Sequence, residues 1–276
     1  PCGAYTPSRL EAGLAIARSR GVDVQPLPGI ETRHRYLAGP DEHRAAQLIE
    51  ALTSDRYGGV WIARGGYGLT RILDRIPWGE LPPRTVIGFS DVTAAMAPLR
   101  AAGCTVVHGP VVHSLPITDE ASLDHLFDLL QGRRVEPLQG EVLVEGSAHG
   151  RLVGGNLSLL AATCGTPWQQ DTTGGILVLE DVGERPYRID RLLQQVRSAG
   201  LLDGVAAVAL GQFEGCGAPE DATYALEDVL HEFVEPLGVP VVTGLPIGHG
   251  AENHAFPWGG PGWVVDGRLG WGLSVA

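Results

Sequence analysis

The chain has 276 residues, of which 44% are hydrophobic and 19% charged, and its formal net charge is −12. This length is enough for one large domain or two smaller ones, each with a buried core. Nucleic acids and anionic membrane surfaces are bound through an excess of Lys and Arg, so the charge argues against both as partners. A small molecule or peptide is the favoured partner.

The four cysteines lie far apart and form no C-x-x-C pair, which excludes a zinc ribbon and a dithiol redox motif. We expect them to be reduced, packed thiols. No apolar run approaches the roughly 20 residues that span a bilayer, and the first residues do not resemble a signal peptide, so we expect a cytoplasmic protein. Because the sequence starts at Pro1 without Met, we also expect a preceding segment.

The first 115 residues alternate helical and strand patterns. Helices are predicted over residues 8–20, 42–54, 69–75 and 92–102, and strands over 22–24, 58–63, 85–87 and 105–107. This alternation predicts a parallel sheet covered by helices on both faces, in which ligands bind at the carboxyl ends of the strands. Two polar segments, residues 65–68 and 88–91, lie at such ends.

Residues 116–150 mix one acidic helix, predicted over 119–131, with Pro and Gly, which indicates a connector. A second domain is predicted over 151–276. It contains helices over 157–164 and 188–198, strands over 175–179, 205–211 and 240–244, and a tail of short antiparallel strands over 258–276.

Ser90 lies in the turn Gly88-Phe89-Ser90-Asp91, between a predicted strand and a predicted helix. A turn side chain at this place faces a cleft, and the first N–H groups of the helix point at whatever binds there. Ser90 is therefore a candidate nucleophile. The alternative is that Ser90 and Asp91 only cap the helix, since both residue types are preferred caps. Val92 stands where the α/β-hydrolase elbow G-x-S-x-G has Gly, which disfavours that family.

A hydrolytic serine needs a base and a group that orients the base. His249, flanked by glycines just after a strand, is the candidate base, and His108 is its rival in a similar setting. Either could instead be a hydrogen-bonded structural imidazole. Glu180 and Asp181 follow an apolar strand, where a buried carboxylate needs a partner. The alternative to catalysis is a structural ion pair, whose candidate partners are Arg185, Arg188 and Arg191.

Backbone donors for an oxyanion are available at the Asp91 N–H and in the glycine turn at Gly65 and Gly66, where another backbone can approach closely. A glycine turn between strand and helix can also cradle phosphate. The absence of a G-K-S/T sequence and of a G-x-G-x-x-G fingerprint disfavours a nucleotide site.

Several motifs occur together in a specific order. They are Pro1-Cys2-Gly3, Arg64-Gly65-Gly66-Tyr67-Gly68, Gly88-Phe89-Ser90-Asp91, His108-Gly109-Pro110, Gly154-Gly155-Asn156-Leu157, Leu179-Glu180-Asp181, Tyr187-Arg188-Ile189-Asp190-Arg191 and Pro246-Ile247-Gly248-His249. With these motifs the chain resembles, over nearly its whole length, the L,D-carboxypeptidases of the murein tetrapeptide type.

The resemblance implies a triad of Ser90 as nucleophile, His249 as general base and acid, and Glu180 as the residue that orients the imidazole. It assigns the oxyanion donors to the backbone amides of Gly66 and Asp91. The implied architecture is an N-terminal parallel-sheet α/β domain followed by a β-rich α+β C-terminal domain, with the active site between them. No metal and no cofactor are implied.

The implied reaction releases the terminal D-alanine of a murein tetrapeptide, within peptidoglycan recycling, by a protein that is often a homodimer. A microcin-immunity type of relative with the same triad cleaves peptidyl-nucleotides, and this is the alternative substrate class. A non-catalytic small-ligand-binding protein of the same fold is a further alternative; it predicts replacement of Ser90, Glu180 or His249, all of which are present.

Overall fold

The computed structural model describes residues 1–272. The helices are α1 (Pro7–Ser19), α2 (Asp41–Thr53), α3 (Thr93–Ala101), α4 (Glu120–Leu130), α5 (Leu157–Thr163), α6 (Pro186–Ser198) and α7 (Leu226–Val234). The strands are β1 (Gly59–Trp61), β2 (Thr85–Gly88), β3 (Thr105–His108), β4 (Leu138–Gln139), β5 (Glu141–Val144), β6 (Ser147–Asn156), β7 (Ile176–Val182), β8 (Ala207–Glu214), β9 (Val241–Thr243), β10 (Phe256–Trp258), β11 (Pro261–Val265) and β12 (Arg268–Trp271).

The first sheet has the order β1-β2-β3-β10. The strands β1, β2 and β3 are parallel and place Val60, Val86 and Val106 side by side. These β-branched side chains are buried, as expected for strands covered on both faces. The fourth strand, β10, comes from the far end of the chain and pairs antiparallel with β3, so that Phe256 lies opposite His108.

The second sheet has eight strands in the order β4-β12-β11-β6-β7-β8-β9-β5. Its four central strands, β6 to β9, are parallel, and antiparallel strands flank them on both sides. The run Ile176–Leu179 in β7 is fully buried, which is why it shows no alternation of polar and apolar residues. The architecture of an N-terminal parallel-sheet α/β part and a strand-rich second part is confirmed.

The two sheets are closely connected. The Thr93 hydroxyl at the start of α3 accepts a hydrogen bond from the Asn156 N–H at the end of β6, 3.1 Å away. Gly155 makes this approach possible, because a Cβ there would lie 2.7 Å from Thr93 Oγ1. Strands β4 and β5 lie within residues 116–150 and β6 begins there, so the predicted connector overlaps three strands of the second sheet. The division into 1–115, 116–150 and 151–276 stays a prediction.

Two local predictions differ from the structure. Residues 22–24 form no strand, because no neighbouring strand within residues 1–272 pairs with them. Residues 69–75 form two short 3₁₀ turns, Leu69–Arg71 and Leu73–Arg75, in place of an α-helix. Within the predicted tail over 258–276, β11 and β12 form an antiparallel pair as predicted, while residues 273–276 lie outside the described residues.

The sequence also predicted reduced, packed cysteines and no segment that spans a membrane, and residues 1–272 can be compared with both expectations. All four cysteines are free thiols, and Cys2, Cys104 and Cys216 are buried. No helix in this part of the chain has the length and apolar character to cross a membrane.

Candidate active site

Ser90 stands at the end of β2 in a strained turn. Its φ is +64°, in the left-handed region that few non-glycine residues adopt. Such strain concentrates at functional sites, where the surrounding structure has to maintain it. The side chains of Ser90 and Asp91 do not cap the helix that follows; the Ser90 hydroxyl faces His249, and the Asp91 carboxyl accepts a bond from the Leu69 N–H. The helix-cap interpretation is wrong.

The structure brings Ser90, His249 and Glu180 together in one chain of hydrogen bonds. Ser90 Oγ lies 3.0 Å from His249 Nε2, and His249 Nδ1 lies 2.7 Å from Glu180 Oε2. Because an ionised carboxylate only accepts hydrogen bonds, Nδ1 carries the proton and donates to Glu180. Nε2 is then free to accept the proton of the Ser90 hydroxyl.

Neighbouring residues of a strand point to opposite faces of the sheet, so only one of the two consecutive carboxylates in β7 meets the imidazole. Both Glu180 and Asp181 are buried. The pairing with β8 shifts at this point, because one residue of β7, Glu180, lies opposite two residues of β8, Gly211 and Gln212, which places a bulge in β8 next to the site. Asp181 accepts hydrogen bonds from the N–H and hydroxyl of Ser158, at 2.9 and 2.8 Å, and so holds the start of α5.

The arginines offered as structural partners do not pair with Glu180 within the described residues. Arg188 forms a 3.4 Å ion pair with Glu184 instead, and the ion-pair partner of Glu180 is His249.

His249 lies on the loop between β9 and β10, and contacts with Gln212 of β8 fix the backbone that directly precedes it. The N–H of Gln212 donates to the carbonyl of Ile247 at 2.7 Å. Gly248 has a φ of +150°, and a Cβ there would lie 3.0 Å from Gln212 Cβ, so only glycine fits this approach without strain. The imidazole packs against the Phe89 ring, with the centroids 4.7 Å apart.

The surroundings of His249 have opposing effects on its pKa. Burial disfavours the imidazolium and lowers the pKa, but the negative charge of Glu180 and its hydrogen bond outweigh burial. The net result is a pKa above the ordinary value of 6.5. The imidazole is therefore a stronger base than a free histidine while it is held against Ser90.

The rival base, His108, does not contact Ser90. Its ring is fully buried and stacks on Phe256, with centroids 4.5 Å apart and planes 16° from parallel. Burial lowers the pKa of His108 to about 4, so the ring is neutral over the physiological range. Neither ring nitrogen has a hydrogen-bond partner among residues 1–272. The geometry thus favours His249 as the base.

The glycine turn of residues 65–68 carries the predicted oxyanion donor Gly66, and we call it the oxyanion loop. It runs next to residues 88–91, which carry the predicted nucleophile Ser90 and which we call the nucleophile turn. A Cβ on Gly65 would lie 2.9 Å from Ser90 Cβ and 3.0 Å from Ser90 Oγ. Only glycine therefore allows this approach. Gly66, with a φ of +99°, follows directly, and its N–H has no acceptor among the described residues. This arrangement leaves the predicted oxyanion donor available to a ligand.

Family models and a close relative identify the chain. A model described as the LD-carboxypeptidase N-terminal domain matches residues 1–109, and one described as the LD-carboxypeptidase C-terminal domain matches residues 149–263. A protein of Synechocystis sp. named as a carboxypeptidase is 41% identical over 252 residues, which cover 91% of this chain and 84% of the relative. The chain belongs to the LD-carboxypeptidase family.

Other relatives agree with this assignment. The murein tetrapeptide carboxypeptidase of Pseudomonas aeruginosa is 36% identical, with 98% of this chain and 93% of that protein covered. The crystal structure of muramoyltetrapeptide carboxypeptidase from Oxalobacter formigenes superposes with a TM-score of 0.85 at 31% identity, covering 97% and 94% of the two chains. The structure of MccF in complex with glutamyl sulfamoyl guanosine has a TM-score of 0.84 at 19% identity and coverage of 95% and 90%, which shows a shared fold alone.

As a member of this family, the protein is a serine-type hydrolase. The sequence analysis missed three features of its site: the bulge in β8 opposite Glu180, the packing of Phe89 on the imidazole, and the bond from Leu69 to the Asp91 side chain. Of these three features, only the packing of Phe89 could have been expected from the sequence, because Phe89 adjoins Ser90 in the motif. The described residues hold no cluster of three or more His, Cys, Asp or Glu side chains arranged for a metal ion.

A cavity of about 540 Å³ lies away from Ser90, between the outer edge of β1 and residues 22–30. Apolar side chains such as Leu14, Val24 and Ile62 contribute to its lining. Ser90, His249 and Glu180 are not part of its wall. The candidate active site is therefore identified by the hydrogen bonds among these three residues and not by this cavity.

Proposed function

We propose that this LD-carboxypeptidase releases the terminal D-alanine from a murein tetrapeptide through a Ser90-His249-Glu180 triad and an acyl-enzyme. The observation that carries the proposal is the continuous bond chain: Ser90 Oγ to His249 Nε2 at 3.0 Å and His249 Nδ1 to Glu180 Oε2 at 2.7 Å. A nucleophile, a base and an orienting carboxylate in that order are what serine acyl transfer needs.

In the first half-reaction, Ser90 Oγ attacks the carbonyl carbon that precedes the C-terminal D-residue. His249 Nε2 takes the hydroxyl proton, and Glu180 stabilises the imidazolium that forms. The carbonyl oxygen gains negative charge and accepts hydrogen bonds from the N–H groups of Gly66 and Asp91. The imidazolium then gives its proton to the leaving amine, the C–N bond breaks, and the D-amino acid departs from the acyl-enzyme.

In the second half-reaction, water attacks the Ser90 ester while His249 accepts one of its protons. The same two N–H groups stabilise the second oxyanion, and the proton returns from His249 to Ser90 Oγ as the ester bond breaks. The products are the shortened peptide and the free enzyme. Every proton moves between groups of this chain and the substrate, so the mechanism uses no metal or cofactor.

The choice of a murein tetrapeptide rests on relatives. The names of the Pseudomonas aeruginosa and Oxalobacter formigenes proteins refer to murein or muramoyl tetrapeptide, and both exceed 30% identity over nearly the whole chain. The peptidyl-nucleotide alternative is supported by the shared fold of MccF, at 19% identity. A peptide substrate without nucleic acid or membrane partners, a homodimer, a cytoplasmic location and a role in peptidoglycan recycling are part of the same proposal.

The test is the release of D-alanine from murein tetrapeptide by the purified protein, by Ser90→Ala and by Ser198→Ala. Ser198 is a matched control because its hydroxyl lies on α6 and bonds the Gln194 side chain. We expect Ser90→Ala to lose at least about 10⁴-fold in kcat and Ser198→Ala to equal the parent. An all-L tetrapeptide should not be cleaved.

Each other outcome contradicts a stated part of the proposal. Equal turnover by Ser90→Ala would remove Ser90 from the mechanism. Cleavage of a peptidyl-nucleotide in place of the tetrapeptide would move the substrate to the alternative class. Failure with both substrates would favour a binding protein of the same fold.

A further inference from the structure

The oxyanion loop, residues 65–68, cannot hold its own shape. Three of its four residues are glycines, and Gly66 and Gly68 have φ values of +99° and +135°. Glycine loses more conformational freedom on folding than any other residue, so the position of the loop has to be fixed by contacts from outside. A donor that stabilises an oxyanion has to be placed before the reaction begins, which makes these contacts relevant to catalysis.

Three hydrogen bonds fix the loop. The Gly65 carbonyl accepts from the Gly3 N–H at 3.0 Å, and the Gly68 carbonyl accepts from Arg44 Nη1 at 2.7 Å. The Leu69 N–H, directly after the loop, donates to Asp91 Oδ2 at 2.9 Å. Of these three, only the bond to Asp91 comes from the nucleophile turn itself.

Asp91 therefore connects two parts of the proposed oxyanion site. Its backbone N–H follows Ser90 and is one proposed donor, while its side chain reaches back to the end of the loop that carries the other donor, Gly66. We infer that the Asp91 carboxyl is a positioning residue, which sets the distance between the two oxyanion donors by accepting the Leu69 N–H.

The environment of Asp91 is consistent with this role. The side chain is fully buried, and its second oxygen, Oδ1, accepts no hydrogen bond from an N–H or O–H group of the described residues. Burial raises the pKa of Asp91, although the Leu69 N–H, the Cys2 thiol and the charge of Arg44 counteract that rise. Burying a carboxyl with so few donors is costly, and the conformation of Ser90 adds strain at the same point.

A purely structural role would have a different signature. If the carboxyl only capped the 3₁₀ turn at Leu69–Arg71, its loss would reduce stability and leave the chemistry of the folded enzyme unchanged. If it positions the donors, its loss slows every reaction at Ser90 that develops an oxyanion, while substrate binding changes little. The inference rests on the proposed function, in which Ser90 is the nucleophile.

The experiment measures the second-order rate at which a fluorophosphonate probe labels Ser90, because the phosphonyl oxygen occupies the oxyanion site and the probe does not depend on peptide specificity. The variants are Asp91→Ala, Asp91→Asn and Ser90→Ala. Asp228→Ala is the matched control, since that carboxylate also accepts one backbone N–H, from Ala225 at 2.8 Å, but in α7. The kcat and KM for D-alanine release are measured in parallel.

We expect Asp91→Ala to slow labelling and kcat by about 10²–10³-fold, with KM within about threefold of the parent. Asp91→Asn retains an oxygen that accepts the Leu69 N–H, so it should label within about tenfold of the parent. Asp228→Ala should label at the parent rate. If Asp91→Ala does not fold, Asp91→Ser takes its place, because its hydroxyl is too short to reach Leu69 and the same slow labelling is expected.

Labelling of folded Asp91→Ala or Asp91→Ser at the parent rate would overturn the inference and leave the carboxyl as a cap. An Asp91→Asn variant as slow as Asp91→Ala would also overturn it, since accepting the Leu69 N–H would not be the property that matters. Failure of the proposed function is separately visible: the parent would then label no faster than Ser90→Ala.

Discussion

The most direct prediction of the triad geometry concerns Glu180→Gln. The substitution keeps the shape of the side chain but removes the charge and places an amide where Oε2 now accepts from His249 Nδ1 at 2.7 Å. When the amide N–H of the new glutamine points at His249 Nδ1, Nδ1 has to accept the hydrogen bond. The imidazole proton then moves to Nε2. His249 then faces Ser90 with a donor and cannot take its proton.

The magnitude follows from the electrostatics of the pair. Glu180 has no exposed surface and His249 has little. Two unit charges about 4 Å apart at an effective dielectric constant of about 20 interact by about 4 kcal/mol. This energy stabilises the imidazolium formed as Ser90 attacks, and 1.36 kcal/mol corresponds to tenfold in rate. We therefore expect kcat to fall by roughly 10³-fold, with the wrong tautomer adding to the loss.

The assay is the pH profile of kcat/KM for D-alanine release. The base has to be neutral, so activity is lost as the pH falls below the pKa of His249. Because Glu180 holds that pKa above 6.5, the acid limb of the parent should lie above pH 6.5. In Glu180→Gln the lowering effect of burial on the pKa of His249 is opposed only by the more weakly acting charge of Asp181, so the residual activity should show an acid limb at lower pH.

The control for this prediction is Glu184→Gln, which makes the same chemical change on the neighbouring loop. Glu184 pairs with Arg188 at 3.4 Å and does not contact His249. The Glu184→Gln substitution should therefore leave the rate and the pH profile unchanged. A Glu180→Gln enzyme with the parent rate, or with an acid limb moved to higher pH, would refute the reasoning about the triad.

Two further predictions concern the nucleophile turn and stability. Gly65→Ala places a Cβ 2.9 Å from Ser90 Cβ, so we expect its kcat/KM to fall by about 10²-fold. The control is Gly79→Ala, whose Cβ would have no atom within 4 Å and which should be neutral. A Gly65→Ala enzyme with the same kcat/KM as Gly79→Ala would contradict the close approach of Gly65 to Ser90. His108 and His125 have pKa values of about 4 in the folded chain against 6.5 in the unfolded chain, so the unfolded state takes up their protons first as the pH falls. Their contribution to the free energy of unfolding should be complete above pH 6.5 and should decline as the pH falls towards 4. Urea unfolding midpoints should therefore decrease as the pH falls over this range, and the decrease should be smaller in His125→Gln. Midpoints that stay constant, or a decrease that is the same in His125→Gln, would contradict this sign.

The candidate site was predictable because its residues follow strands directly. Ser90 and Glu180 stand at the carboxyl ends of the parallel strands β2 and β7, where ligands bind in such sheets. The two strands belong to different sheets, so the sequence could not show that these ends face each other. The residues alone left the choices between Glu180 and Asp181, and between His249 and His108, open. The motif pattern favoured Glu180 and His249. The structure shows the physical basis of both choices. Glu180 bonds His249 while Asp181 bonds Ser158, and the imidazole of His249 lies against Ser90 while that of His108 stacks on Phe256.

Contacts between distant parts of the chain account for what the sequence could not reveal. Residues 69–75 have helical periodicity, but the Leu69 N–H is bonded to Asp91 and the Gly68 carbonyl to Arg44, and the segment forms two 3₁₀ turns instead. The pairing of β10 with β3 joins segments about 150 residues apart in the sequence. Local patterns contain no information about either arrangement.

The pairing of β10 with β3 also explains how His249 is placed across the two sheets. The loop that carries it leaves β9 in the second sheet and enters β10 in the first, so each end of the loop is anchored to a different sheet. Between the anchors, the Ala251 carbonyl accepts from the Asp119 N–H at 2.9 Å, and the Asn253 N–H donates to Ser122 Oγ at 3.0 Å. The distance from His249 to Ser90 therefore depends on the spacing of the sheets, and a substitution that shifts one sheet against the other should reduce activity before it unfolds the protein.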